Sequence, residues 1–141
     1  LVGSGDNRRI LLPNSQHRYP TELSEQIHLA GLLDRMGLIW CHVPNEGRRA
    51  SVVGNNLKRS GLKPGFPDDL VFTRSPLHPD SAGTAFEMKR TDGKPRNVEP
   101  EQWEWLERLE KLGWKTFVAY GADDAIVKLA KLGYPIAQDM L

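Results

Sequence analysis

The sequence predicts an α/β domain in which a central mixed sheet is flanked by helices, in the order α-β-β-β-α-β-α. Two observations carry the prediction. Three stretches space their apolar residues for helices and are closed by glycine, and four short apolar runs of strand length lie between turn residues. The size fits as well: 141 residues with 39% hydrophobic and 26% charged suit one folded domain with a single core.

Each element can be justified in turn. In "TELSEQIHLAGLLDRMG", Leu23, Ile27, Ala30 and Leu33 recur at helical spacing, with Thr21 as N-cap and Gly37 as the stop. "LIWCHV" is an apolar strand closed by Pro44 and Asn45. "NEGRRASVVGNNLKRSGLKPG" is a long polar connector with room for a short helix around Asn55 to Ser60, and a connector of that length usually has a function. "DLVFT" and "TAFEMKR" are strands joined by the loop "RSPLHPDSAG". "PEQWEWLERLEKLG" is a helix with Pro100 in its first turn, Trp105, Leu106, Leu109 and Leu112 facing inward, and Gly113 as its stop. "WKTFVAYG" is the last strand, and "ADDAIVKLAKLG" the last helix, with Ile126, Leu129 and Ala130 inward.

No apolar run approaches the ~18 to 20 residues of a bilayer span, and no charged-then-apolar signal opens the chain. The expectation is a soluble intracellular protein without a membrane partner. A lone cysteine, Cys41, fits a reducing compartment and reads as strand packing. Residues 1–19, polar and glycine-containing, read as a flexible lead or an expression remnant, and residues 20–141 as the domain. The net charge of +1 hides an uneven distribution. Arg48, Arg49, Lys58, Arg59 and Lys63 stand in a stretch free of acids, whereas Glu99 to Lys111 is rich in glutamate. A basic stretch of this kind suits a polyanion, and makes these five residues candidates for nucleic-acid binding.

The chemistry is concentrated in "GFPDDLVFTRSPLHPDSAGTAFEMKR". Side chains alternate along a strand, so Glu87 and Lys89 share one face while Phe86 and Met88 supply the core on the other. An aspartate at the start of the neighbouring strand, Asp68 or Asp69, would bring a second carboxylate beside Glu87. Two adjacent carboxylates repel unless a proton or cation lies between them. Hard oxygen ligands of this type suit Mg²⁺ or Mn²⁺, which leave positions open for phosphate oxygens. A lysine beside them can orient or help deprotonate an attacking water, or neutralise charge developing on phosphate. Such parts hydrolyse phosphodiesters.

Taken in order, "PTELSEQI", "HVPNEG", "LKRSGLKPGFPDDLVF", "FEMKR" and "PEQWEWLERLEKLGW" leading to "GADDAI" resemble the VRR-NUC domain of the PD-(D/E)XK nuclease superfamily, especially its small stand-alone phage and bacterial versions. The resemblance runs from Pro20 to Gly133 and implies a restriction-endonuclease-like core. It places the metal aspartate at Asp68 and the E-x-K pair at Glu87 and Lys89, with the main-chain carbonyl of Met88 as a further ligand. "PDDL" departs from the usual single acid and leaves Asp69 as the alternative, although alternation turns it to the opposite face. The family's helix-one glutamate, which reaches metal through water, corresponds to Glu25, with Glu22 as the alternative. Gln102 corresponds to the glutamine that follows E-x-K, and would orient the lysine or the attacking water; otherwise it is a satisfied buried amide. His42, Asn45 and Glu46 border the same region, where a strand-end turn accounts for them equally well.

The resemblance implies a Mg²⁺- or Mn²⁺-dependent DNA endonuclease, structure-selective for branched DNA such as Holliday junctions, acting as a homodimer in a bacterial or host cytoplasm. The alternatives are a catalytically silent DNA-binding module of the same fold and an RNA-directed nuclease, since metal-bound carboxylates act on the phosphate and do not select the sugar.

Overall fold

The computed structural model describes residues 19–44, 51–136 and 138–140. Helix α1 (Glu22–Arg35) begins where the Thr21 hydroxyl accepts the Ser24 N–H at 3.0 Å, the N-cap that its sequence predicts. Strand β1 (Trp40–His42), helix α2 (Ser51–Arg59), strands β2 (Asp69–Val71) and β3 (Thr84–Lys89), helix α3 (Pro100–Lys111), strand β4 (Lys115–Tyr120) and helix α4 (Ala122–Lys131) follow, with 3-10 turns at Pro95–Asn97 and Gln138–Met140. Helix α2 is the short helix expected in the connector, and it starts earlier than Asn55.

The sheet runs β1-β2-β3-β4. β1 with β2 and β2 with β3 are antiparallel, while β3 and β4 are parallel. A parallel neighbour requires a crossover, and α3 supplies it. The result is the mixed sheet flanked by helices that the sequence predicts. The exposed side of β4 is blunted from α4: Asp124 accepts the Tyr120 N–H at 2.9 Å, and Lys128 Nζ donates to the Val118 carbonyl at 2.6 Å. Two backbone groups that could template another strand are thereby occupied.

Strand alternation divides the interior into two layers. Phe86 and Met88 join Leu29, Leu33, Ile126 and Leu129 on the face covered by α1 and α4, where Phe86 stacks on Phe117 with centroids 4.6 Å apart. On the other face Leu106 packs with Val98 and Val118. Some expected inward residues lie outside. Leu23 and Ile27 are 66% and 64% exposed, because α1 is rotated to bury Glu25, Gln26, Leu29, Leu32 and Leu33. Leu112 and Ala130 are exposed at helix ends, while Ala122 and Ala125 are buried in α4 instead. Cys41 is exposed on the three-residue edge strand rather than packed. Among the described residues no helix is long and apolar enough to cross a membrane.

Candidate functional site

The register sorts the two aspartates. Asp69 pairs with Phe86 across β2 and β3, and with His42 across β1 and β2, so its side chain lies on the α1 face of the sheet. It is fully buried, and Gln26 Nε2 donates to its Oδ1 at 2.8 Å. The His42 ring nitrogen Nδ1 stands 3.4 Å from the same oxygen and 2.8 Å from the Asp68 carbonyl. A carbonyl can only accept, so Nδ1 carries the proton. The Val43 N–H donates to that carbonyl as well, at 2.7 Å. Asp69 with its partners therefore holds the end of β2 from behind, and burial pushes its carboxyl up to about 7.

Asp68, one residue earlier and just before the paired residues of β2, meets Glu87. Its Oδ2 accepts the Met88 N–H at 2.7 Å. Met88 lies beyond the β2 pairing, and the N–H and carbonyl of a strand residue share one edge, so its carbonyl lies on the same edge as Asp68. Glu87 is 4% exposed. Gln102 Nε2 donates to Glu87 Oε2 at 2.7 Å, while Gln102 Oε1 accepts the Glu99 N–H at 2.8 Å. The α3 capping bond thus aims Gln102 at the glutamate. Where the sequence predicts the lysine or the attacking water as its partner, the Gln102 amide contacts Glu87.

The second oxygen of Glu87, Oε1, is buried without a donor. Burial, followed by the charge of Asp68, pushes the Glu87 carboxyl up to about 10, with Lys89 opposing the shift. Without a cation, a proton must take the place between the carboxylates; a cation there would reverse the shift. The orphaned buried oxygen and the all-oxygen donor set of Asp68, Glu87 and the Met88 carbonyl fit a hard divalent cation. Among the described residues no three His, Cys, Asp or Glu side chains cluster to hold an ion, so water and phosphate would have to complete the coordination.

Two adjoining cavities open here. One, of about 70 Å³, is lined by Glu22, Leu23, Gln26, His42, Asp68 and Met88. The other, of about 360 Å³, is lined by Glu22, Lys89, Arg90, Asp92, Gly93 and Asn97. Glu22 borders both, beside Asp68 and beside Lys89. Glu25, favoured from the sequence, points elsewhere: its Oε1 accepts the Ala122 N–H at 2.8 Å, at the first turn of α4. A carboxylate is favourable there, because the first amides of a helix lack partners and carry its positive end. Gly121, just before this helix, holds φ 95°, and a Cβ there would strike the Thr91 side chain. Glu25→Ala is expected to lower the melting temperature by about 3 to 8 °C, as loss of a helix cap does in a domain of this size. Thermal melting checks this, and an unchanged midpoint would count against the capping role.

The basic connector leads into this site. Lys58 and Arg59 are exposed at the end of α2, and Lys63 is exposed in the turn that follows. A Cβ at Gly65 would come 2.6 Å from Glu101 Cβ, and Phe66 meets Trp105 edge-on at 5.1 Å. The connector is thereby pinned to α3 immediately before Pro67 and Asp68. Arg48, Arg49, Asn45 and Glu46 lie outside the described residues.

No family model matches this chain, and no curated protein matches it. Among solved structures it is similar to one titled "VRR_NUC domain protein", with a TM-score of 0.62 and 24% identity, covering 82% of this chain and 89% of that chain. The shared fold agrees with the restriction-endonuclease-like core expected from the sequence.

Proposed function

We propose that the protein is a Mg²⁺- or Mn²⁺-dependent endonuclease that hydrolyses phosphodiester bonds in DNA. The observation that carries this reading is the buried Asp68 and Glu87 pair, with an orphaned Glu87 oxygen and Lys89 at the adjoining cavity. A divalent cation held by Asp68, Glu87 and the Met88 carbonyl would supply Lewis-acid activation of the phosphate and of water. Gln102 fixes Glu87, the Gln26–Asp69–His42 group fixes the strand end that carries Asp68, and Lys89 orients water or neutralises charge developing on the phosphate. Glu22 takes the water-mediated role, because it borders both cavities whereas Glu25 caps α4. Lys58, Arg59, Lys63, Arg48 and Arg49 hold the DNA backbone, which is where affinity comes from.

Branched DNA such as a four-way junction is the proposed substrate. Its resolution needs two symmetric cuts, and a two-fold homodimer supplies two sites. Titration of Mg²⁺ and Mn²⁺ against labelled linear, flap and four-way DNA, with an RNA control, tests the reading. Cleavage of the four-way substrate that is lost in EDTA is expected, with Ca²⁺ supporting binding but little cutting. Full activity in EDTA would overturn the metal-dependent reading.

A further inference from the structure

The larger cavity is not used by the two carboxylates, and its volume of about 360 Å³ exceeds what an ion with its waters needs. It is lined by Lys89 and Arg90, by the acids Glu22 and Asp92, and by Gly93 and Asn97, and the turn that carries Arg90 goes on to Lys94 and Arg96. Arg90 donates from Nε to Asp92 Oδ1 at 2.9 Å and from Nη2 to Oδ2 at 2.8 Å. That parallel pair of bonds is the geometry in which a guanidinium also grips phosphate. The Tyr19 ring lies 6.0 Å from the same guanidinium. The arginine and its acid are both on the surface, within reach of an incoming anion. Gly93 presses the turn against the strand: a Cβ there would come 3.1 Å from the Tyr120 ring and 3.3 Å from Lys89 Cβ. The wall that carries Arg90 is therefore fixed directly beside the lysine.

We infer that this cavity seats the DNA phosphate next to the one being cut, with Arg90 as its two-pronged partner and Asp92 as the internal stand-in that holds the fork until phosphate displaces it. The inference rests on the nuclease reading above. It assigns opposite roles to two neighbouring residues. Arg90 adds affinity, whereas Asp92 competes for it and repels the strand.

The test is binding of fluorescein-labelled four-way DNA to the full chain in EDTA, followed by anisotropy across a salt series. Arg90→Ala is expected to weaken binding about tenfold and to flatten the salt slope by about one unit. Arg90→Lys should restore the slope but not the affinity, because an ammonium lacks the fork. Asp92→Asn should tighten binding, and should gain much less when Arg90 is already alanine. Unchanged affinity and slope in Arg90→Ala, or Arg90→Ala and Asp92→Asn shifting affinity in the same direction, would overturn the inference while leaving the metal site standing. Wild-type protein that binds neither DNA nor RNA would overturn both readings.

Discussion

Asp68→Ala, Glu87→Ala and Lys89→Ala should each reduce cleavage of the four-way substrate by at least about a hundredfold, with the dissociation constant for DNA changing only slightly. In the proposed mechanism these groups would meet the reacting phosphate, whereas affinity for nucleic acid generally comes from basic contacts to the backbone. The split between rate and affinity is the diagnostic part, since a misfolded variant would lose both. Single-turnover cleavage at saturating protein, alongside anisotropy in Ca²⁺, separates them. Asp69→Ala discriminates further. Asp69 lies on the α1 face with Gln26, so its loss should lower stability before it lowers the rate at saturating metal. An inactive but fully stable Asp69→Ala, with Asp68→Ala active, would reverse the assignment of the two aspartates.

Metal-free protein should lose thermal stability as pH rises. Glu87 is moved from an ordinary 4.5 up to about 10 and Asp69 from 3.8 up to about 7, in both cases mainly by burial. Above the unfolded values, the folded chain keeps protons that the unfolded chain has released. The stability tied to those protons is therefore complete at low pH, is lost through about 7 for Asp69, and continues to fall towards about 10 for Glu87. In EDTA the melting temperature should drop by about 5 °C or more between about pH 6 and about pH 9. Glu87→Gln holds the uncharged form at every pH, so it should remove most of the drop and melt above wild type at the alkaline end. Mg²⁺ should restore wild type there and leave the glutamine variant nearly unchanged. A wild-type midpoint that rises over this window would exclude the buried pair as its cause.

Much of the site is legible in one dimension because strand geometry is local. Alternation alone puts Glu87 and Lys89 opposite Phe86 and Met88, and Phe86 and Met88 do lie together in the core. Pro100 and the inward spacing of Gln102 likewise predict a helix that presents an amide to the sheet, and Gln102 meets Glu87. What the chain order could not decide is which of several equally spaced residues the packed helices turn inward. Glu22 and Glu25 lie within one turn of each other on α1, and the rotation of that helix is set by Leu29 and Leu33 against the sheet and α4. That rotation sends Glu25 to Ala122, 97 residues away, and leaves Glu22 at the cavities. The same holds for Gln26 and Asp69, 43 residues apart, and for the cavity that Gly93 closes against Lys89 and Tyr120. Spacing along the chain determined the faces of the strands, because those follow from backbone periodicity. Tertiary structure decided which polar groups are buried, what each one holds, and where the cavity opens, because those depend on surfaces brought together from distant parts of the chain.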